Sequence, residues 1–183
     1  LHGNSLMSSS FIDASTGWAV GAFGTIMKTT DSGKTWENQV SGTTATLNSV
    51  SFVDKNNGWA GGSNTILNTK DGGKTWSILT STSPVAINSV YFLNSSTGFI
   101  AGGKIIQKTT DGGKSFTNVT LPASSLYYSI LKMQFISSST GWAVGTKGAI
   151  LKTTDGGNTW VDQFVGDKRI NTVFFTDSLN GSC

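Results

Sequence analysis

The eight residues Thr29-Thr30-Asp31-Ser32-Gly33-Lys34-Thr35-Trp36 decide the fold, because close copies of them recur along the chain. The copies occupy residues 69–76, 109–116 and 153–160, so that successive aspartates stand 40, 40 and 44 residues apart. A second segment precedes each copy: Gly17-Trp18-Ala19-Val20-Gly21 recurs in related form at residues 58–62, 98–102 and 141–145. A fixed period of about 40–50 residues is typical of propellers and other repeat arrays.

Each repeat predicts four short antiparallel strands. The first is an alternating run such as Leu47 to Val53, the Gly-Trp segment is the second, Thr25 to Lys28 is typical of the third, and the fourth begins at Thr35-Trp36. One such sheet cannot bury both of its faces, so successive sheets must stack. We therefore expect an all-β fold, a single β-propeller domain over residues 1–183. Its blades cover approximately residues 5–45, 46–85, 86–128 and 129–168, and 169–183 supply the first strand of a fifth.

The acidic turn of each repeat has the chemistry of a tight hairpin. An Asp side chain accepts hydrogen bonds from N–H groups just downstream, and glycines after it adopt positive φ without strain. The aromatic residue that ends the turn packs against the sheet. Four equivalent copies are explained by folding better than by catalysis. The predicted structural residues are Asp31, Gly33, Trp36, Asp71, Gly73, Trp76, Asp111, Gly113, Phe116, Asp155, Gly157 and Trp160.

The pattern (S/T)-x-D-x-G-x-(T/S)-(W/F) resembles the Asp-box, also called the bacterial neuraminidase repeat. Paired with the Gly-Trp-Ala-Val-Gly segment, it looks most like the photosystem II stability/assembly factor family. The resemblance implies a β-propeller, and for function it implies a module that contacts a protein client. Members of that family are noted for an arginine-rich patch, whereas this chain contains Arg169 alone. A generic secreted relative is therefore the expectation.

Composition limits the other classes of function. Charged residues make up 13% of the chain, the formal net charge is +3, and the lysines are dispersed, which argues against nucleic acid binding. The single cysteine, Cys183, provides neither an internal disulfide nor a Cys-based metal site, and no apolar run is long enough for a membrane span. We expect an extracellular or periplasmic protein without a metal or cofactor.

Catalytic groups are scarce. The resemblance to sialidases would require three arginines around a substrate carboxylate, and a glycosidase needs two spaced carboxylates. Asp13, Asp54 and Asp177 share one turn position, so only Glu37, Asp162 and Asp167 remain outside the repeated turns. The one histidine, His2, is expected to be solvated. The sequence therefore predicts no enzyme and no catalytic residues; the alternative is a fragment of a xyloglucanase- or sialidase-like glycoside hydrolase that lacks its catalytic residues.

Function is expected on one face of the propeller. Strand direction places the turns between second and third strands, and the links between blades, on the face opposite the acidic turns. These segments differ between repeats, and variable loops on a rigid scaffold often carry function. The sequence predicts a partner surface there, with a protein as the expected partner and a glycan as a possible one; its residues are Phe23, Lys104, Tyr127, Tyr128, Lys147, Lys168 and Arg169. For the two tyrosines, packing at the start of the fourth blade is an equal alternative.

The blade count leaves three alternatives open. Four blades and part of a fifth form an open arc, whose uncovered faces favour association. The chain is a piece of a longer propeller, or it associates with a second copy to complete a ring, or it is a repeat unit of a larger surface assembly.

Overall fold

The computed structural model describes residues 4–79, 86–124, 128–163, 166–177 and 180–182, which form four antiparallel sheets of four strands and a short fifth sheet. No α-helix occurs in these ranges. The first sheet contains β1 (Leu6–Phe11), β2 (Gly17–Gly21), β3 (Ile26–Thr29) and β4 (Glu37–Gln39). The second contains β5 (Leu47–Phe52), β6 (Gly58–Gly62), β7 (Ile66–Thr69) and β8 (Ser77–Leu79). The predicted all-β propeller fold is confirmed.

The third and fourth sheets repeat the same order. The third contains β9 (Ser89–Phe92), β10 (Gly98–Gly102), β11 (Ile105–Thr109) and β12 (Thr117–Asn118). The fourth contains β13 (Ile130–Phe135), β14 (Gly141–Gly145), β15 (Ile150–Thr153) and β16 (Val161–Asp162). In each sheet every strand pairs with the next in sequence, so each is a simple meander.

Two details differ from the expectation. The outermost strand of the first sheet begins at Glu37, after the aromatic residue that ends the acidic turn. A fifth sheet contains β17 (Phe174–Phe175) and also β18 (Gly181–Ser182), which is the start of a second strand. Phe175 pairs with Gly181 as Phe11 pairs with Gly17, so the fifth sheet continues the same register.

The second strand of each sheet begins with a glycine because a phenylalanine ring covers it. A Cβ atom placed on Gly58 would lie 2.3 Å from the Phe52 ring, and one on Gly17 would lie 2.5 Å from the Phe11 ring. Gly98, Gly141 and Gly181 meet the last phenylalanine of their own first strands in the same way. In the second to fifth sheets, a side chain at this position would displace the ring that contacts the preceding sheet.

Aromatic stacking joins neighbouring sheets. The indole of Trp18 stacks on the Phe52 ring of the next sheet at 3.5 Å between ring centroids, and Trp59 stacks on Phe92 at 3.7 Å. Phe52 in turn meets Trp76 edge to face. The buried apolar clusters lie between sheets in the same way; one contains Trp18 and Ile26 of the first sheet with Leu47, Val50 and Leu67 of the second. Each sheet therefore obtains its core from its neighbours.

The first strands of successive sheets lie side by side at the inner edge of the arc. A side chain of one first strand bonds the backbone of the next: Ser10 Oγ accepts from the N–H of Phe52 at 3.0 Å, and Ser51 Oγ accepts from that of Phe92 at 3.0 Å. Tyr91 occupies the equivalent place in the third sheet, and its hydroxyl donates to the carbonyl of Phe135 at 2.8 Å. These bonds hold the inner strands in register between sheets.

Candidate binding face

Both oxygens of the Asp-box carboxylates are engaged inside their own turns. In the second sheet, Asp71 Oδ1 accepts hydrogen bonds from the backbone N–H of Thr75 at 2.9 Å and from the hydroxyl of Thr69 at 2.8 Å. Asp71 Oδ2 accepts from the Thr75 hydroxyl at 2.6 Å, and Thr69 Oγ1 accepts from the N–H of Gly73 at 2.8 Å. The boxes around Asp31, Asp111 and Asp155 repeat this pattern.

These hydrogen bonds stabilise the ionised carboxylates. The hydroxyl and N–H of Thr75 are the main causes that lower the pKa of Asp71 from 3.8 to about 2, and Thr35 lowers the pKa of Asp31 to about 2 in the same way. Ser115 holds the pKa of Asp111 well below its ordinary value. A general acid would need a raised pKa, so the electrostatics of these turns do not suit acid catalysis near neutral pH.

The Asp-box also binds the preceding sheet. The indole Nε1–H of Trp18 donates to the carbonyl of Gly72 at 3.2 Å, and that of Trp59 donates to the carbonyl of Gly112 at 2.9 Å. The third sheet has phenylalanine at this place, and there Lys108 Nζ donates to the carbonyl of Gly156 at 2.9 Å. The Asp-box face, which the four boxes form, is therefore built of turns that tie sheet to sheet.

The opposite surface is named the loop face here; it comprises the turns between the second and third strands and the links between sheets. Phe23 lies in such a turn, with 73% of its side chain exposed. Lys104 and Lys147 occupy the same turn in the third and fourth sheets, and both are exposed. The structure thus places three predicted site residues in the equivalent turn of different sheets.

A groove of about 1130 Å³ opens beside Phe23 on the loop face. Its walls include Leu6 and Val40, two large apolar side chains that are more than half exposed. Link residues Ser41 to Thr44 complete it. Sequence reasoning missed Leu6 and Val40, because apolar strand ends are ordinarily assigned to the core.

The remaining predicted site residues fall in two groups. Lys168 and Arg169 are exposed in the link after the fourth sheet, where Arg169 Nε donates to Asn171 Oδ1 at 2.6 Å. Tyr128 is only 3% exposed and packs with Phe99, Ile106 and Ile130, so its ring is not available at the surface. For Tyr128 this favours the packing alternative, because the link enters the fourth sheet through the apolar layer. Tyr127 lies outside the described residues.

The charges of the two faces differ. Lys104, Lys147, Lys168 and Arg169 belong to turns and links of the loop face, where Asp167 is the one acidic residue of these segments. The turns of the Asp-box face carry seven aspartates, the four of the boxes with Asp13, Asp54 and Asp177, against the five lysines Lys34, Lys55, Lys70, Lys74 and Lys114. The loop face is consequently the more basic of the two.

Two classes of site find no support in the described ranges. No group of three or more His, Cys, Asp or Glu side chains stands close enough to hold a metal ion. The described residues also contain no helix that is long and apolar enough to cross a bilayer.

Comparison with known proteins gives one family match: residues 39–126 match the model of the photosynthesis system II assembly factor YCF48. No curated protein matches the chain in sequence. Many solved structures share its architecture. The family match over these residues and that shared architecture confirm the predicted resemblance: the chain is a β-propeller that is similar to Asp-box propellers of the photosystem II assembly factor type.

Three solved structures illustrate the likeness. YCF48 bound to D1 peptide is 19% identical with a TM-score of 0.60, over 97% of this chain and 87% of that one. YCF48 from Cyanidioschyzon merolae is 23% identical with a TM-score of 0.74, over 94% of this chain and 60% of that one. The Niastella koreensis GH74 enzyme is 20% identical with a TM-score of 0.69, over 86% of this chain and 30% of that one. At these identities the likeness shows the fold.

Proposed function

We propose that this chain is a non-catalytic propeller module that binds a segment of a client protein on its loop face, in the manner of an assembly factor. The observation that carries the proposal is the backbone of Phe23, whose φ of 55° lies in the left-handed region. Its ring is nevertheless directed into solvent beside the groove.

The left-handed conformation is costly for such a residue. For L-residues other than glycine it costs about 1–2 kcal/mol, with Asn and Asp the best tolerated. The equivalent turn positions hold Asn64 with a φ of 54° and Gly103 with a φ of 51°, which meet the requirement cheaply. Lys147 also has a left-handed backbone, with a φ of 54°. Neither Phe23 nor Lys147 adopts this conformation cheaply, because neither is Gly, Asn or Asp. Folding alone would favour Asn or Gly at both places, and strained residues of this kind concentrate at functional sites.

The groove favours a polypeptide with apolar anchors. Leu6, Phe23 and Val40 provide apolar contact area along it, and aromatic residues are the most frequent anchors of protein interfaces. The cations of the same face add attraction for acidic side chains. We therefore expect the client segment to combine acidic and large apolar residues.

A similar fold supports this class of partner. One of the similar structures is YCF48 bound to D1 peptide, so a propeller of this type binds a peptide of another protein. The present chain offers Arg169 as its one arginine, and its own client need not be the same. The apolar groove beside Phe23 is the feature on which recognition would depend here.

The test is a selection of linear peptides from a displayed random library on the intact protein. We expect the selected peptides to be rich in acidic and aromatic residues, and we expect Phe23→Gly to weaken their binding at least tenfold while the protein stays folded. Ser32→Gly is the matched control, because Ser32 is also left-handed, with a φ of 66°, but lies on the Asp-box face. Equal affinity of the wild type and Phe23→Gly, or no selected peptide at all, would refute the proposal.

We also infer a location outside the cytoplasm, extracellular or periplasmic, where a scaffold of this kind would meet its client. The low share of charged residues and the surface rich in Ser, Thr, Asn and Gly support it. Immunodetection of the native protein in separated cell compartments tests the inference. Recovery with the cytoplasmic fraction alone would contradict it.

A glycoside hydrolase is the second candidate, since the GH74 enzyme shares the fold. The acidic residues outside the repeated turns do not support a catalytic pair, because Glu37 lies at the start of the outermost strand of the first sheet and Asp162 on that of the fourth. We expect no release of reducing sugar from xyloglucan by the purified chain. Measured turnover would reverse the order of the two candidates.

A further inference from the structure

The first strands β1, β5, β9, β13 and β17 line a cleft of about 430 Å³ at the inner edge of the arc. It is named the axial cleft here, and its polar lining includes Ser10, Ser51, Tyr91, Lys132, Gln134 and Thr172. It is separate from the groove beside Phe23, since no described residue lines both.

Lys132 departs from the repeat at its position. The residue three places before the last phenylalanine of the first strand is Ser49 in the second sheet, Ser89 in the third and Lys132 in the fourth. Ser49 Oγ accepts a hydrogen bond from the N–H of Val90 at 3.0 Å, and Ser89 Oγ accepts one from the N–H of Met133 at 3.1 Å. An ammonium group cannot accept such a bond, so Lys132 does not perform the structural role of those serines.

Gln134 joins the fourth and fifth sheets without help from Lys132. Its Oε1 accepts from the N–H of Phe175 at 2.7 Å, and its Nε2 donates to the carbonyl of the same residue at 3.1 Å. The equivalent Ser10 and Ser51 each make one such bond. The two bonds of Gln134 offset the bond that a serine at position 132 would make to the fifth sheet. Lys132 is therefore not needed to join the fourth and fifth sheets.

The surroundings of Lys132 suit an anion. Among the described residues that line the axial cleft, Lys132 is the one charged side chain, and burial lowers the pKa of its amino group. Within the described parts of the chain its ammonium group has no hydrogen bond or ion pair. A half-buried cation without a partner is costly, and an anion in the cleft would remove that cost.

Two hydroxyl groups complete the set of donors. Ser10 and Ser51 accept backbone N–H groups with their oxygens, so the proton of each hydroxyl remains available. We propose that the axial cleft binds a carboxylate, with Lys132 supplying the charge and the hydroxyls of Ser10 and Ser51 donating to its oxygens. The carboxylate belongs to a small dicarboxylic acid or to an acidic side chain of a bound protein segment.

The experiment follows the lysine side chains by NMR in the protein labelled at the lysine Cε and Nζ atoms, with succinate as the probe. Lys132→Ser assigns the resonance and introduces the residue that the repeat itself uses, so we expect that variant to fold. Saturating succinate should raise the titration midpoint of Lys132 by at least about one pH unit, because an anion stabilises the charged amine. The resonance of the exposed Lys34 on the Asp-box face should not move.

Three further measurements decide the outcome. Uncharged succinamide should leave Lys132 unaffected, and Lys132→Ser should bind succinate at least tenfold more weakly than the wild type. A blocked Gly-Glu-Gly peptide distinguishes the sources: a response to this peptide and none to succinate supports a carboxylate supplied by protein. If Lys132 responds to neither, or if Lys132→Ser binds as well as the wild type, the proposal is wrong. Neither result affects the groove beside Phe23.

Discussion

The Asp-box face and the loop face of this propeller are made by the same strands, yet they use their polar groups differently. On the Asp-box face the four carboxylates accept hydrogen bonds from their own turns, and glycine carbonyls there accept bonds from the preceding sheet. On the loop face, basic side chains and the ring of Phe23 extend into solvent.

The left-handed residues sharpen this contrast. In the Asp-box turns, three of the four boxes use glycine at the position that Ser32 occupies, so the conformation is cheap in most of them. In the loop-face turns, Phe23 and Lys147 hold a conformation that their side chains disfavour. Strained left-handed residues are therefore more frequent in the loop-face turns, with two of four, than in the Asp-box turns, with one of four.

Substitution in the core that ties the Asp-box face to the next sheet should lower the stability most. Trp59→Ala removes a buried ring that stacks on Phe92 and bonds the carbonyl of Gly112, and it should cost about 3–5 kcal/mol of unfolding free energy. Phe23→Ala on the loop face removes an exposed ring and should change it by less than about 0.5 kcal/mol. Urea unfolding of both variants measures the difference. Similar losses in the two variants would break the distinction between the faces.

Acid should act on the Asp-box face through all four boxes together. The folded pKa values of Asp31, Asp71 and Asp155 are about 2, below the ordinary 3.8, so the unfolded chain binds more protons between these limits. Their contribution to stability is therefore complete above about pH 4 and is lost as pH falls toward 2. Urea midpoints between pH 5 and 2 should decline over this window, and less steeply in Asp71→Asn. A flat profile would contradict the assignment.

Removal of one buried hydroxyl should weaken one box. Thr69→Val leaves the buried N–H of Gly73 without its acceptor and should cost about 1–3 kcal/mol. Thr44→Val at an exposed place on the loop face is the isosteric control and should cost less than about 0.5 kcal/mol. Thermal and urea unfolding distinguish them. An equal cost at both places would mean that the hydroxyl of Thr69 adds nothing beyond its volume.

Replacement of a left-handed serine by glycine should increase the stability slightly. Ser32→Gly should raise the unfolding free energy by about 0.5–1 kcal/mol, because relief of the left-handed strain exceeds the entropy cost of glycine. Phe23→Gly should give a similar gain with a loss of peptide binding. Unfolding free energy and peptide affinity are measured on both variants. Ser32→Gly should change only the stability, whereas Phe23→Gly should change both. If both variants lose stability, the left-handed backbone is not strained at Ser32 or at Phe23.

The sequence predicted the strands and the stacking because both repeat. Trp18 and Trp59 recur at one place and Trp36 and Trp76 at another, and a repeated pattern is read without knowing the fold. The site was predicted less well, since it depends on features that do not repeat. The strain at Phe23 is a backbone angle, the exposure of Val40 depends on the link that follows it, and the burial of Tyr128 depends on the path into the next sheet. Lys132 carries no local signal; only alignment with Ser49 and Ser89 singles it out.

The bond from Trp18 to the carbonyl of Gly72 has a consequence for how such proteins change in length. One 40-residue unit carries the indole donor, and the next carries the glycine acceptor together with the phenylalanine that receives the stacked ring. Units that carry both the donor and the acceptor can therefore follow one another, whereas the third unit, with Phe99 in place of the indole, makes the equivalent bond through Lys108. Duplication of a whole unit that carries both the donor and the acceptor would therefore repeat this joint without any new contact.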